Sequence, residues 1–149
     1  MEIVLNEWLL HYSKHDADIK KKELVYKFLQ FLKNNNFKLV IDWKCPFIRK
    51  FQTFWDASKA DYQSHSLFKI LYHLLIDSNK VKYVELDDVS ILPDEVVKCC
   101  PGNDLYLMQL AFNSKDRVII TKDEKLIEKM SVYPELKIMS PEDFLKRYS

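Results

Sequence analysis

Two aspartates, Asp104 and Asp123, are separated by one helix-like run and one strand-like run, an excursion that returns the chain to the end of the sheet it left. Ligands of open α/β sheets bind beyond the carboxyl ends of the strands, so the polar residues that follow each strand-like run are the first candidates for chemistry. They are Asn6 and Glu7, Asp42, Asp87 and Asp88, and Asp123; Asp104 joins them because its helix leads into the next strand. Carboxylates gathered at such an edge repel one another unless a proton or a divalent cation neutralises them. Oxygen-only ligands suit Mg²⁺ or Mn²⁺, whose bound water can attack a phosphodiester. The same positions also suit helix caps, and Thr121 with Glu124 has the spacing of a capping box.

Four cations, Lys44, Arg49, Lys50 and Lys122, fall on or beside these strand ends, available to hold phosphates or to pair with the acids. Phe47, Phe51, Phe54 and Trp55 recur at helical spacing, which reads as core before it reads as a base-stacking surface. His11 and His15 have the spacing of a zinc-binding helix pair, with Asp16 and Asp18 nearby, but lack the flanking Glu or Cys that such sites use. Cys45 has no base partner that would activate it as a nucleophile.

The elements that must position these residues follow from apolar periodicity. Short strand-like runs at 3–5, 37–41, 81–86, 117–121 and 136–139 alternate with helix-like runs at 18–33, from Pro46 through Trp55, and at 64–76. Others begin at Glu7, Pro93, Asn103 or Asp104, after Asp123, and at Ser140-Pro141-Glu142-Asp143, a capping box with proline at the first helical position. The alternation predicts one α/β domain over residues 1–149, three layers deep, with a mostly parallel central sheet of four to five strands and helices on both faces. The 81–86 run alternates apolar with polar and is expected at an edge. Gly102, the sole glycine, follows Pro101 and is expected in a turn with positive φ.

Bulk properties narrow the function. A chain of 149 residues can bury a sizeable core without disulfides or a structural metal. The net charge of +1 excludes binding of nucleic acid through a large uniform positive field, although the first sixty residues carry +4 and the remainder −3. Three cysteines, two of them adjacent, suit neither a disulfide framework nor a metal knuckle, and no long apolar run is present; a reducing, cytoplasmic setting is expected.

The stretch Asn103-Asp104-Leu105-Tyr106-Leu107-Met108-Gln109-Leu110-Ala111, with Val118-Ile119-Ile120-Thr121-Lys122-Asp123-Glu124-Lys125-Leu126, resembles the C-terminal half of a PIN domain. That family sets one aspartate at the start of this helix and another after the next strand, within Thr-x-Asp-x-x-Leu. The ending Leu136–Met139, Ser140-Pro141-Glu142-Asp143-Phe144-Leu145 is also similar. The resemblance is good over residues 93–148 and topological elsewhere. It implies a metal-dependent nuclease, most naturally a ribonuclease using Mg²⁺ or Mn²⁺, in which Asp104 and Asp123, helped by Asn6 and Glu7, hold the metal. Asn6 stands where the family has its first aspartate, with Glu7 beside it. The second family acid falls near Arg49, Lys50 or Phe51, none acidic, and the role does not transfer to Asp56 or Asp61. These departures imply weaker metal binding, and a catalytically silent module binding RNA or a protein is the alternative. Small stand-alone members are often toxins, so an antitoxin is one partner class implied; a homo-oligomer is left open.

Overall fold

The computed structural model describes residues 1–86 and 92–149; Asp87 and Asp88 lie outside the described residues. Five strands, β1 (Glu2–Leu5), β2 (Lys38–Ile41), β3 (Val81–Tyr83), β4 (Val118–Ile120) and β5 (Lys137–Met139), form one sheet in the order β3-β2-β1-β4-β5. Every neighbouring pair is parallel. Parallel strands need long crossovers, supplied here by α1 (Trp8–Tyr12) and α2 (Ile19–Asn34), α3 (Pro46–Ser58) and α4 (Tyr62–Ile76), α5 (Asp94–Cys99) and α6 (Leu105–Phe112), and α7 (Glu124–Met130), with α8 (Pro141–Tyr148) closing the chain.

Side chains alternate across the sheet and divide the core in two. Ile3, Leu39, Val118 and Ile120 pack against α1 to α4 and Phe144 of α8, while Val4, Val40 and Ile119 pack against α5, α6 and α7. The central strands are buried on both faces, and for that reason they read as unbroken apolar runs. The three-layer α/β expectation holds, with five strands and no antiparallel member among the described residues. As expected, β3 lies at an edge, though its paired residues end at Tyr83.

The helices start where local chemistry predicts. Asp18 accepts a hydrogen bond from the Lys21 amide at 2.9 Å, Pro46 opens α3, and the Ser140 hydroxyl accepts from the Asp143 amide at 3.1 Å. Phe47 and Phe51 are core, and Phe54 and Trp55 pack on its margin.

Two local expectations are corrected. Gly102 has no positive φ; it opens a 3₁₀ turn, Gly102–Asp104, and a Cβ there would meet nothing within 4 Å. Arg117, at φ 54°, is the residue that takes the left-handed conformation, its amide donating to the Ser114 hydroxyl at 3.0 Å. The cap of α7 is Asp123, not Thr121. No helix among the described residues is long and apolar enough to cross a membrane.

Candidate functional site

The chain leaves β1 toward β2 on one side of the sheet and β4 toward β5 on the other, so the carboxyl ends of these two adjacent strands open a crevice. A cleft of about 700 Å³ occupies it, lined by Asn6 and Glu7 from the end of β1, Thr121 and Asp123 from the end of β4, and Asp104 from the head of α6. Lys50, one turn into α3, reaches in from the side. Four sequence candidates separated by up to 117 positions therefore share one cavity.

The floor is stitched by hydrogen bonds. The Asn6 amide group donates to the Thr121 hydroxyl at 2.9 Å and accepts from the Glu7 backbone amide at 2.7 Å. The Thr121 hydroxyl also accepts from the Asp123 amide at 3.1 Å. One Asp123 oxygen caps α7 by accepting from the Leu126 amide at 3.1 Å. The capping role and a place in the cleft thus coexist in Asp123, with its second oxygen left over.

Asp104 differs. It precedes α6 without a side-chain cap bond, and it is half-buried. Burial, then the charge of Asp123, then that of Glu7, hold its carboxyl above the ordinary value. Burial is the larger cause, and the neighbouring carboxylates add to it, each raising the cost of ionising the next.

Glu7 is compensated from within: the Lys50 ammonium contacts its carboxylate at 2.5 Å. Lys50, one of the basic residues singled out from the sequence, thus brings a cation into the cleft. The other basic candidates go elsewhere. Lys122 donates to both oxygens of Glu142, at 2.8 and 2.7 Å. Lys44 borders an adjoining groove, and Arg49 is exposed on α3 and lines neither cavity. Asp42 spends both oxygens on backbone amides, those of Lys44 at 2.8 Å and Leu86 at 2.9 Å.

The histidine pair is not a zinc site. The first helix ends at Tyr12, so His15 lies beyond it, and His11 packs edge-on against Phe54 at 5.3 Å. Cys45 is buried at the start of α3, and burial pushes its thiol up, away from nucleophilic use.

Sequence reasoning overlooked Trp8 and Tyr106. Trp8 donates its indole N–H to the Ile120 carbonyl at 3.0 Å, fixing α1 against the end of β4 directly below Glu7. Tyr106 stands two residues after Asp104, and its buried hydroxyl has no hydrogen-bond partner among the described residues. The available signal was adjacency to Glu7 and Asp104.

Two carboxylates lining one cavity are a donor set of the kind on which a hydrated Mg²⁺ is carried, and Asp104 and Asp123 are the residues that would hold such an ion. It is no closed cage. Among the described residues no three His, Cys, Asp or Glu side chains assemble into a metal-holding group. No family model, curated protein or solved structure matches this chain.

Proposed function

We propose that the chain is a PIN-like, divalent-metal-dependent ribonuclease whose site is the cleft between β1 and β4. The observation that carries this reading is the crowding of Asp104, Asp123 and Glu7 at the switch point of a parallel sheet, expressed in the raised Asp104 carboxyl. Bound Mg²⁺ or Mn²⁺ would supply an activated water and neutralise the charge that develops at phosphorus. Asp104 and Asp123 would hold that ion. The Asn6 amide fixes the spacing of the two strand ends, and Lys50 holds Glu7 and adds positive charge beside the place a phosphate would take. Purified protein incubated with mixed RNA and DNA is expected to cleave single-stranded RNA with Mn²⁺ and not with chelator; intact RNA in Mn²⁺ would remove the nuclease reading.

A second reading is favoured by the Lys50–Glu7 pair itself. An ammonium in the cleft, with a neutral amide at Asn6, suits a silent module that binds RNA or a protein partner such as an antitoxin. Metal affinity separates the two. Isothermal titration is expected to give millimolar Mg²⁺ binding, tightened roughly tenfold in Asn6→Asp, about 1.4 kcal/mol, because a charged oxygen replaces a neutral one. The Thr121 hydroxyl can turn to donate to the new carboxylate, so the fold is retained. Unchanged affinity would place Asn6 outside the ligand set.

A further inference from the structure

The rim of the sheet carries a second feature on the same carboxyl-end side as the cleft. Trp43 follows β2, Tyr83 ends β3, and their rings stack at 5.0 Å between centroids and 21° between planes. Both are unusually open for aromatic side chains, with Trp43 53% exposed and Tyr83 45%.

The stack is held from behind. The Tyr83 hydroxyl donates to the Leu75 carbonyl at 2.6 Å, and the Trp43 loop is tightened by Asp42, whose side chain accepts from the Lys44 amide and whose carbonyl accepts from the Cys45 amide at 3.0 Å. A flat ring pre-set against another, with half its surface in water, loses little conformational freedom when a third ring joins the stack.

A groove of about 570 Å³ runs from this stack past the exposed Lys44 to Pro46 and Tyr106, which also line the carboxylate cleft. The two cavities thus adjoin, with Pro46 and Tyr106 forming the wall between them. From this juxtaposition we infer that the groove is the path of a single nucleic acid strand, one base stacking on Trp43 and its phosphate facing Lys44, while the strand continues over Pro46 into the cleft. Every base has a π-face, so such a platform holds a strand without reading its sequence. Paired bases, already stacked on both faces, cannot use it. The inference rests on the phosphodiester reading of the cleft and adds to it a binding surface outside the cleft, the Trp43–Tyr83 stack, that holds the strand by an unpaired base.

The test is binding of a fluorescein-labelled twelve-nucleotide RNA, single-stranded or annealed to its complement, followed by anisotropy in chelator so that nothing is cut. Wild type is expected to prefer the single strand. Trp43→Ala is expected to weaken its binding roughly tenfold, with Trp43→Phe recovering most of the loss. Tyr62→Ala, an exposed aromatic remote from the groove in its contacts, is expected to bind as wild type. Indole fluorescence should fall on binding in wild type and remain constant in Trp43→Ala, since Trp8 is buried and the half-buried Trp55 packs on Phe51 and Tyr72 outside the groove lining. Equal binding by Trp43→Ala and wild type, equal binding of duplex and single strand, or an effect of Trp43→Ala on self-association in place of RNA binding would each overturn the inference. Mn²⁺-dependent cleavage with an unchanged KM in Trp43→Ala would overturn it while leaving the cleft assignment intact. Trp43-dependent binding without cleavage by wild type would support the platform and remove the nuclease.

Discussion

Asp104→Asn is expected to cut Mn²⁺-dependent RNA cleavage more than about 100-fold while the protein melts at the same temperature as wild type in chelator, or slightly higher. The two halves of this result have one cause. Asp104 gives no cap bond to its own helix, and its carboxyl is pushed up by burial and by the charges of Asp123 and Glu7. Its ionised form therefore costs the folded protein free energy, and a neutral amide of the same shape relieves that cost. The cleft meanwhile loses an anionic ligand. Removing even an indirect partner of a metal ligand typically costs 10- to 100-fold, so loss of a ligand itself should exceed that range. Thermal melting in chelator and cleavage rates in Mn²⁺, on the same preparations, check both halves. Full activity in Asp104→Asn would end the assignment of Asp104; a large drop in melting temperature would make it a structural residue.

Trp8→Ala is expected instead to lower stability by about 3–5 kcal/mol, the range for truncating a buried Trp or Phe. At roughly 2–4 °C per kcal/mol for a domain of this size, the melting temperature falls by about 10 °C. Trp8 is 6% exposed and packs edge-on against Tyr12 at 5.8 Å and Phe28 at 5.3 Å. The Ile120 carbonyl that it bonds also accepts from the Asn6 backbone N–H at 3.2 Å, so the truncation leaves a cavity and no orphaned acceptor. Trp8→Phe should recover most of the loss. Denaturant and thermal unfolding measure the effect, and a melt within a degree of wild type would show that the indole is not part of the core.

The strands at the centre of the sheet were legible because burial on both faces demands unbroken apolar runs: Ile3-Val4-Leu5 and Val118-Ile119-Ile120 are found within a residue of where they were expected. Edges are weaker signals. The alternation in 81–86 announced β3, but only its first three residues are paired as strand. The Pro101-Gly102 pair illustrates a local preference overruled by context, since the following residues wind directly into α6 and leave no need for positive φ. Arg117 takes that conformation with nothing in its side chain to announce it. In the cleft, strand-end logic found Asn6, Glu7, Asp104 and Asp123, because the topology carries them there. It could not decide which lysine turns inward. Lys50 meets Glu7 across 43 positions through the packing of α1 on α3, whereas Lys122 is drawn off by Glu142, and neither partner is marked in the local sequence.

The bond from Asn6 to Thr121 spans 115 positions, and β1 lies in the middle of the sheet between β2 and β4. During synthesis from the amino end, the first strand can pair with β2 early but must wait for residues 118–120 before its other edge is covered. Contacts so distant along the chain close late, because the entropy of looping is spent before they return any stabilisation. The crevice cannot exist until residues 118–123 have emerged. On the nuclease reading, a growing chain that has not reached Asp123 is thus harmless to the message that encodes it, and a fragment ending before Asp123 lacks one wall of the site.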